Sequence, residues 1–210
     1  MGVQICGWIR IMSLIPEFEL GLWNAWIFVA PWVFAYMGLT LILKSFSKDR
    51  KSTFWKFPSY TRLERMYLLL WFLIYLGLVI YSVFLPLAIG TVWFYIGLPI
   101  YLIGLAIVLL AIWAFTVTPL DKPNTTGVYR ISRHPWYVGA ALIFIGTSIA
   151  SASWVYLLLA LIWLPPTRNV LMIPEERECC ERFGNAYREY MNRSPRWIGI
   201  PKSDKNKQED

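Results

Sequence analysis

Long apolar segments without charge alternate with short charged segments along this 210-residue chain. The first apolar segment covers residues 20–43, and a second run, from 66 to 118, contains no charged residue at all. About 20 apolar residues suffice for a helix to cross a membrane, so the second run predicts two spans. Pro and Gly near residues 86–92 predict a turn, which divides the run into spans at 66–90 and 91–115.

A further apolar segment, residues 136–173, is again too long for one crossing. The polar triplet Ser151-Ala152-Ser153 lies near its middle and predicts a turn between two short antiparallel helices. The pattern therefore predicts an all-α integral membrane protein with five transmembrane helices, the last two forming a C-terminal hairpin.

After the hairpin the period of the apolar positions predicts one amphipathic helix over residues 174–193, outside the membrane core. Pro174 suits a first helical position, and Glu175 and Glu176 would complement the helix dipole in the first turn. Residues 1–15 are predicted to be a second amphipathic segment at the interface, and residues 201–210 a polar tail. The predicted apolar face of the 174–193 helix consists of Cys179, Cys180, Phe183, Tyr187, Tyr190 and Met191.

Composition supports the membrane assignment. The chain is 57% hydrophobic and 16% charged, with a mean hydropathy of +0.48, whereas about 25% of the residues of a soluble domain are charged. Five spans place every Lys and Arg except Arg10 on one side, which by the positive-inside rule predicts an extracytoplasmic N-terminus and a cytoplasmic C-terminus. The net charge of +7 then suits anionic headgroups, and no basic soluble domain remains for nucleic acid. The Trp-rich spans are compatible with a monomer or a dimer.

The three cysteines do not predict a metal site or a disulfide framework. Cys179 and Cys180 are adjacent, without the spacing of metal ligands, and Cys6 leaves an odd count. They are expected to be reduced thiols.

The segment from Arg133 to Gly139 carries the chain's only histidine and opens the predicted hairpin. With Pro135 at the first helical position, the following amides and Arg133 could bind a carboxylate or a phosphate, and His134 adds a group that can titrate near neutral pH. An ordinary juxtamembrane anchor, with Arg133 snorkelling and Trp136 in the aromatic belt, explains the same residues.

Glu175 and Glu176 come directly after the hairpin, so its geometry returns them to the face from which the chain left at Arg133. One carboxylate could bind paired hydroxyls, such as those of a ribose, or an ammonium group. Ordinary chemistry of a helix N-terminus is the alternative interpretation.

Together these motifs resemble the membrane-embedded methyltransferases that include isoprenylcysteine carboxyl methyltransferase and the phospholipid N-methyltransferases. The resemblance covers roughly residues 116–200, and the ordered set is more specific than any of its members. In chain order the motifs are Thr126-Gly127-Val128-Tyr129-Arg130, Ser132-Arg133-His134-Pro135-Trp136-Tyr137-Val138-Gly139, Glu175-Glu176, Phe183-Gly184 with Tyr187 and Tyr190, and Pro195-Arg196-Trp197.

The resemblance implies S-adenosylmethionine as the methyl donor and a lipophilic acceptor in the bilayer. It divides the chain into N-terminal transmembrane helices (1–115), a cofactor-binding methyltransferase-like region (116–200) and the tail (201–210). The implied cofactor-binding residues are Arg130, His134, Tyr137, Gly139, Glu175 and Glu176.

The same resemblance implies catalytic roles for Arg133, His134 and Arg196, with Arg196 acting on the acceptor. The acceptor itself is either a prenylated-cysteine carboxylate or a phospholipid amine. Residues 115–121 lack the Asn-Trp pattern of isoprenylcysteine enzymes, so this choice stays open.

Two other functions fit parts of the pattern. Sterol reductases share similar RHPxY and FG-Tyr features but use NADPH, although the glutamate pair and the short chain argue against that interpretation. In a non-catalytic membrane protein, Arg133 and the glutamates would only anchor helices.

Overall fold

The computed structural model of the chain describes residues 18–45, 60–119 and 121–200. Within these ranges every regular element is helical, apart from an isolated antiparallel bridge between Asn24 and Pro86, which confirms the predicted all-α class. The helices are α1 (Trp26–Ser45), α2 (Arg62–Phe84), α3 (Val92–Val117), α4 (Pro135–Ala150), α5 (Trp154–Thr167), α6 (Ile173–Phe183) and α7 (Asn185–Arg193). The predicted N-terminal amphipathic segment, Cys6, most of the basic loop before α2 and the tail lie outside the described residues.

Among the described residues, three helical stretches are long and apolar enough to cross a membrane: Arg62–Phe84, Val92–Val117 and Trp154–Phe183. Two apolar helices are shorter, namely Trp26–Ala35 within α1 and Pro135–Ala150. The 16 residues of α4 extend only about 24 Å, less than the ~30 Å of a hydrocarbon core. Three of the five predicted spans therefore contain described helices that are long and apolar enough to cross a membrane, and the number of crossings stays a prediction.

Helix α2 begins at Arg62, four residues before the predicted start of the span at Met66. Thr61 and Glu64 form a capping box, in which each side chain accepts a hydrogen bond from the other residue's backbone amide. The break between α2 and α3 was predicted correctly, since α2 ends at Phe84 and α3 begins at Val92.

Helices α3 and α4 pack with their backbones in direct contact. A Cβ atom added at Gly97 would lie 2.3 Å from the Ala150 amide nitrogen, and one added at Gly146 would lie 2.5 Å from the Tyr101 amide nitrogen. Gly104 and Gly139 meet in the same way, because a Cβ on either would lie 2.7 Å from the other's carbonyl oxygen. Glycines seven residues apart on each helix therefore form this interface, as small residues do in membrane helix pairs.

Aromatic side chains from α1, α2, α4 and α5 form the core beside that interface. The buried Phe144 ring packs edge-on against Trp32 and Trp163, with ring centroids 5.7 Å and 5.3 Å apart. Trp71 stacks on Tyr75 at 5.8 Å and donates through Nε1 to Thr167 Oγ1 at 2.8 Å. Edge-on contacts of this kind add to the stabilisation from buried area.

The predicted hairpin turn lies between α4 and α5. Ser153 caps α5 by accepting from the Tyr156 amide at 3.3 Å, and Ala152 adopts a positive φ of 50°. The Ala88 amide, in the connection between α2 and α3, donates to the Ala150 carbonyl at 2.9 Å. The two connections therefore contact each other at the same end of the bundle.

Pro174 lies in the first turn of α6, as predicted, but α6 does not begin at a free helix end. The chain is helical without interruption from Trp154 to Phe183, and α5 joins α6 through a π-helical turn, Arg168–Met172. Pro165 and Pro166 stay inside α5 and neither end nor unwind it. Because helical residues precede Glu175 and Glu176, no free helix N-terminus is available there to attract their charge. A single π turn within an α-helix is uncommon and is often found at functional sites.

The single helix predicted over residues 174–193 is instead two helices, since Gly184 (φ 56°, ψ −126°) separates α6 from α7. That backbone conformation favours glycine because a side chain would be strained there. The break folds α7 back on α6, where Cys180 Sγ lies 3.6 Å from Met191 Sδ. Cys179 and Cys180 are free thiols, as predicted.

Candidate functional site

The segment before α4 is held by the C-terminal segment of the described chain. The Arg133 amide donates to the Pro195 carbonyl at 2.9 Å, and the Gly199 amide donates to the Ile131 carbonyl at 3.2 Å. The Ser132 hydroxyl donates to the Arg196 carbonyl at 3.2 Å and accepts from the His134 amide at 3.0 Å. Residues 131–134 are thus fixed next to residues 195–199.

Pro135 begins α4, as predicted, with His134 as the residue that precedes the first turn. The amides of Tyr137 and Val138 both donate to the His134 carbonyl, at 3.1 and 3.3 Å. These two amides are therefore already used, which weakens the expectation that the helix start binds an anion through its backbone.

Glu176 lies at the centre of a charged cluster and is buried, with 5% of its side chain exposed. Its Oε1 is 3.1 Å from His134 Nε2 and accepts from Arg196 Nε at 3.0 Å. Its Oε2 accepts from Arg196 Nη2 at 2.6 Å, so the guanidinium binds the carboxylate in a bidentate manner. Arg133 Nη2 adds a third positive group 3.4 Å from Oε1.

The neighbouring Glu175 is 43% exposed and differs from Glu176 in its partners. Its Oε1 accepts a hydrogen bond from the Tyr137 hydroxyl, and its Oε2 lies 3.5 Å from His134 Nδ1. Glu175 is therefore the carboxylate of the pair that solvent or a ligand can reach.

The imidazole of His134 bridges the two glutamates, with one ring nitrogen directed at each. Burial lowers its pKa, but hydrogen bonds and charge interactions with Glu175 and Glu176 outweigh burial, so the pKa of His134 is raised above its ordinary value of 6.5. The charged imidazole has a donor on both nitrogens and so satisfies both carboxylates at once.

Several tyrosines surround the glutamates. Tyr190 donates through its hydroxyl to the Tyr129 carbonyl at 2.7 Å, which ties α7 to the turn Gly127–Arg130. Tyr60, at the start of α2, has its pKa raised to about 12 by partial burial and by the charges of Glu175, Glu64 and Glu178. Burial and the charge of Glu175 also raise the pKa of Tyr129.

The structure thus brings together six of the predicted site residues, namely Arg133, His134, Tyr137, Glu175, Glu176 and Arg196. Arg130 is exposed at the end of its turn, and no hydrogen bond or ion pair joins it to the described residues of the cluster. Gly139 faces Gly104 and Val108 of α3, so the space left by its missing side chain is filled by a helix. Their roles in cofactor binding stay predictions.

Sequence reasoning missed Ser132, Tyr60 and the ion pair between Glu64 and Arg177 at 3.1 Å, which ties the start of α2 to α6. The Thr61-x-x-Glu64 pattern was a usable signal, because it marks a helix start at that point. Nothing local predicts that Tyr60 approaches the glutamates, since the approach depends on how α2 packs beside α5 and α6.

The residues present fit a cofactor with a carboxylate and either an ammonium or a ribose. Arg133 Nε is buried and has no hydrogen-bond partner among the described residues, which leaves a guanidinium donor available for an anionic group. The accessible carboxylate of Glu175 suits hydroxyls or a cation. No group of three or more His, Cys, Asp or Glu that could hold a metal ion occurs among the described residues.

Comparison with known proteins places this site in a family context. Residues 92–186 match the model of a protein family described as Phospholipid methyltransferase. No curated protein and no solved structure matches the chain. The match includes α3, the hairpin and both glutamates, but not Tyr60 or Arg196. Residues 92–186 are therefore similar to phospholipid methyltransferases, in agreement with the resemblance drawn from the ordered motifs.

Proposed function

We propose that the protein is an S-adenosylmethionine-dependent methyltransferase that acts on a lipophilic acceptor in the membrane. The observation that carries this proposal is the convergence of His134, Tyr137, Glu175 and Glu176 at the end of apolar helices, within the region that matches the methyltransferase family. Residues separated by about 40 positions in sequence meet there through hydrogen bonds, which favours a ligand site over independent helix anchors.

In this proposal Glu175 binds the ammonium or the ribose of the methyl donor, and Arg133 binds its carboxylate. The donor supplies a methyl group on a positively charged sulfur, which is already a strong electrophile. The protein therefore has mainly to align the reactants and to exclude water. Tyr137 holds Glu175 through its hydroxyl, which fixes the direction in which the carboxylate points.

For the acceptor we favour the amine of a phospholipid over the carboxylate of a prenylated cysteine. Glu176 pairs with Arg196 and Arg133, and in this proposal the donor carboxylate takes the remaining donor of Arg133, so neither cation is left for the carboxylate of an acceptor. The accessible charge is the negative one of Glu175, which attracts an ammonium and repels a carboxylate. The ammonium must lose a proton before it can accept a methyl group, so this acceptor also requires a base or a water relay.

The membrane topology is part of the proposal. The cluster would face the cytoplasm, from which a soluble methyl donor arrives, while the acceptor reaches the site between helices. The charge asymmetry of the sequence supports this orientation.

Calorimetric titration of the purified protein with S-adenosylmethionine tests the methyl donor. We expect binding by the wild type and loss of binding in Glu175→Gln, with Gly77→Ala in α2, where an added Cβ meets nothing within 4 Å, as a variant that binds normally. A parallel titration with NADPH tests the reductase alternative. Folded protein that binds NADPH but not S-adenosylmethionine would overturn the proposal.

Transfer of a radiolabelled methyl group tests the acceptor. The protein is reconstituted in vesicles that contain phosphatidylethanolamine or, separately, N-acetyl-S-farnesylcysteine. We expect labelled lipid only from the first. Label only on the farnesylcysteine would reverse the assignment of the acceptor and leave the methyl donor unchanged.

A further inference from the structure

Arg196 reaches the cluster from a segment that lies beyond the residues matched to the family. We infer that Arg196 is a positioning residue: it acts through Glu176 to hold the imidazole of His134, and does not contact the acceptor. This role differs from the one that the resemblance implies, and it rests on the proposed function of the site.

Both oxygens of the Glu176 carboxylate are engaged by protein groups. Its Oε1 contacts His134 and Arg196 Nε, and its Oε2 accepts from Arg196 Nη2 at 2.6 Å. With 5% of its side chain exposed, this carboxylate can bind a ligand only by releasing a partner. Glu176 is therefore part of the framework, and Glu175 is the residue left for ligands.

The backbone around Arg196 is itself held at several points. The Arg196 carbonyl accepts from Ser132, and neighbouring residues of its segment bond to Arg133 and Ile131 through the backbone. A backbone fixed in this way allows the guanidinium to bind Glu176 in one orientation. A flexible arm that swings towards an acceptor would not need these bonds.

Removal of the Arg196 guanidinium would leave the Glu176 Oε2 atom buried without the partner that the structure gives it. A buried charged oxygen without a donor is costly, so the carboxylate would rotate towards water and leave His134. Loss of this contact with Glu176 would lower the pKa of His134. Loss of the Arg196 charge alone would instead raise it, because removing a nearby positive charge favours the charged imidazole. The direction in which the pKa of His134 moves therefore distinguishes a positioning role from a simple charge effect.

Charged and titratable groups face His134 from every element packed around it. They are Glu175 and Glu176 of α6, Tyr137 of α4, Arg133 of its own segment and Arg196 of the C-terminal segment. Further out, Tyr187 of α7 interacts with Glu176 and Arg133, Tyr190 of α7 with Arg133, and Tyr60 and Tyr129 with Glu175.

Because His134 is the only histidine in the chain, NMR titration of protein labelled with carbon-13 at the histidine Cε1 gives one signal that reports on the cluster without substrate. The full chain is purified in detergent without a polyhistidine tag. We expect the pKa of His134 in Arg196→Gln to fall towards its ordinary value, and Arg188→Gln, an exposed change of the same charge on α7, to leave it unchanged. A pKa that stays constant or rises in Arg196→Gln would overturn the inference.

A double-variant cycle then tests whether Arg196 acts through Glu176. In the Glu176→Gln background, Arg196→Gln should cause no further change in the pKa of His134. An equal shift in both backgrounds would mean that Arg196 acts directly, which contradicts the inference. Arg196→Lys, which keeps the charge but loses the bidentate geometry, should give an intermediate shift, and it guards against a misfolded Gln variant.

Binding of S-adenosylmethionine separates this inference from the proposed function. We expect about tenfold weaker binding in Arg196→Gln, because Glu176 and His134 no longer keep Glu175 in place. Wild-type protein that does not bind the methyl donor would remove the proposed function, but the NMR result on His134 would still decide the role of Arg196.

Discussion

Two contact regions hold the hairpin α4–α5 in place, and they use different chemistry. Along its length α4 meets α3 through glycines, with backbone against backbone and no charged group in the contact. At the start of α4 the contacts are ionic, and three positively charged side chains surround the Glu176 carboxylate, namely Arg133, His134 and Arg196. The first region tolerates almost no added volume, whereas the second depends on charge. Stability is therefore expected to depend mainly on the first region and ligand binding on the second.

The largest effect is expected where added volume meets backbone. In Gly97→Leu the new side chain would start 2.3 Å from the Ala150 amide nitrogen, so α3 and α4 must separate. Overpacking costs about 1–3 kcal/mol where side chains can adjust, but here a rigid helix backbone has to move, so we expect a loss greater than the ~3–5 kcal/mol of a broken buried ion pair. We expect Gly97→Leu to prevent recovery of folded protein in detergent, as judged by size-exclusion chromatography.

Gly77→Leu in α2 is the matched control, because nothing lies within 4 Å of a Cβ atom at that position. It should be recovered like the wild type. If Gly97→Leu were recovered equally well, the close contact between α3 and α4 would not be important for stability.

The second largest effect is expected within the ionic region, where the two glutamates differ. Glu176→Gln leaves Arg133 and Arg196 without their buried counter-charge, and breaking a buried pair costs about 3–5 kcal/mol. Glu175→Gln removes a partly exposed charge and should change stability far less. We expect thermal unfolding in detergent to show a clear fall in Tm for Glu176→Gln alone. Equal Tm values in the two variants would contradict the different environments of the two glutamates.

The sequence predicted these two regions unequally, for a physical reason. The ionic region could be predicted from a short ordered set of motifs, and the hairpin geometry brings Arg133 and Glu176 to the same end. The glycine interface depends on the relative rotation of α3 and α4, which the sequence does not state, although Gly97, Gly104, Gly139 and Gly146 are all visible in it. Gly139 was assigned to cofactor binding by resemblance, and only the packing shows that its open side faces α3.

The connection from α5 to α6 is a second place where the sequence alone does not predict the structure. Proline removes a helical hydrogen bond, so Pro165 and Pro166 are residues at which a helix commonly kinks or ends. The chain instead continues through the π turn Arg168–Met172, whose shifted hydrogen bonds keep it helical. Gly184, where the chain does break, is part of the Phe183-Gly184 motif, but its conformation cannot be read from one glycine.

A smaller effect, which depends on pH, is expected at His134. The folded state raises the pKa of His134, so its contribution to stability is complete below the ordinary value of 6.5 and is lost as the pH rises through the raised value. We expect the difference in Tm between the wild type and His134→Gln to be greatest at pH 5.5 and to shrink as the pH rises to 8.5. A difference that grows with pH would contradict the bridging role of the charged imidazole.

The smallest effect is expected at a neutral hydrogen bond in the aromatic core, away from both regions. Trp71→Phe keeps an aromatic ring beside Tyr75 but removes the Nε1 group that donates to Thr167 Oγ1 at 2.8 Å. Neutral hydrogen bonds between membrane helices contribute about 0.6 kcal/mol on average, and Thr167 Oγ1 keeps its own bond to the Trp163 carbonyl. We expect a small fall in Tm, larger than that of Trp113→Phe, whose side chain is 67% exposed. A loss as large as that of Glu176→Gln would mean that the helix before the π turn depends on Trp71, and that the polar contacts of the molecule are not concentrated around Glu176.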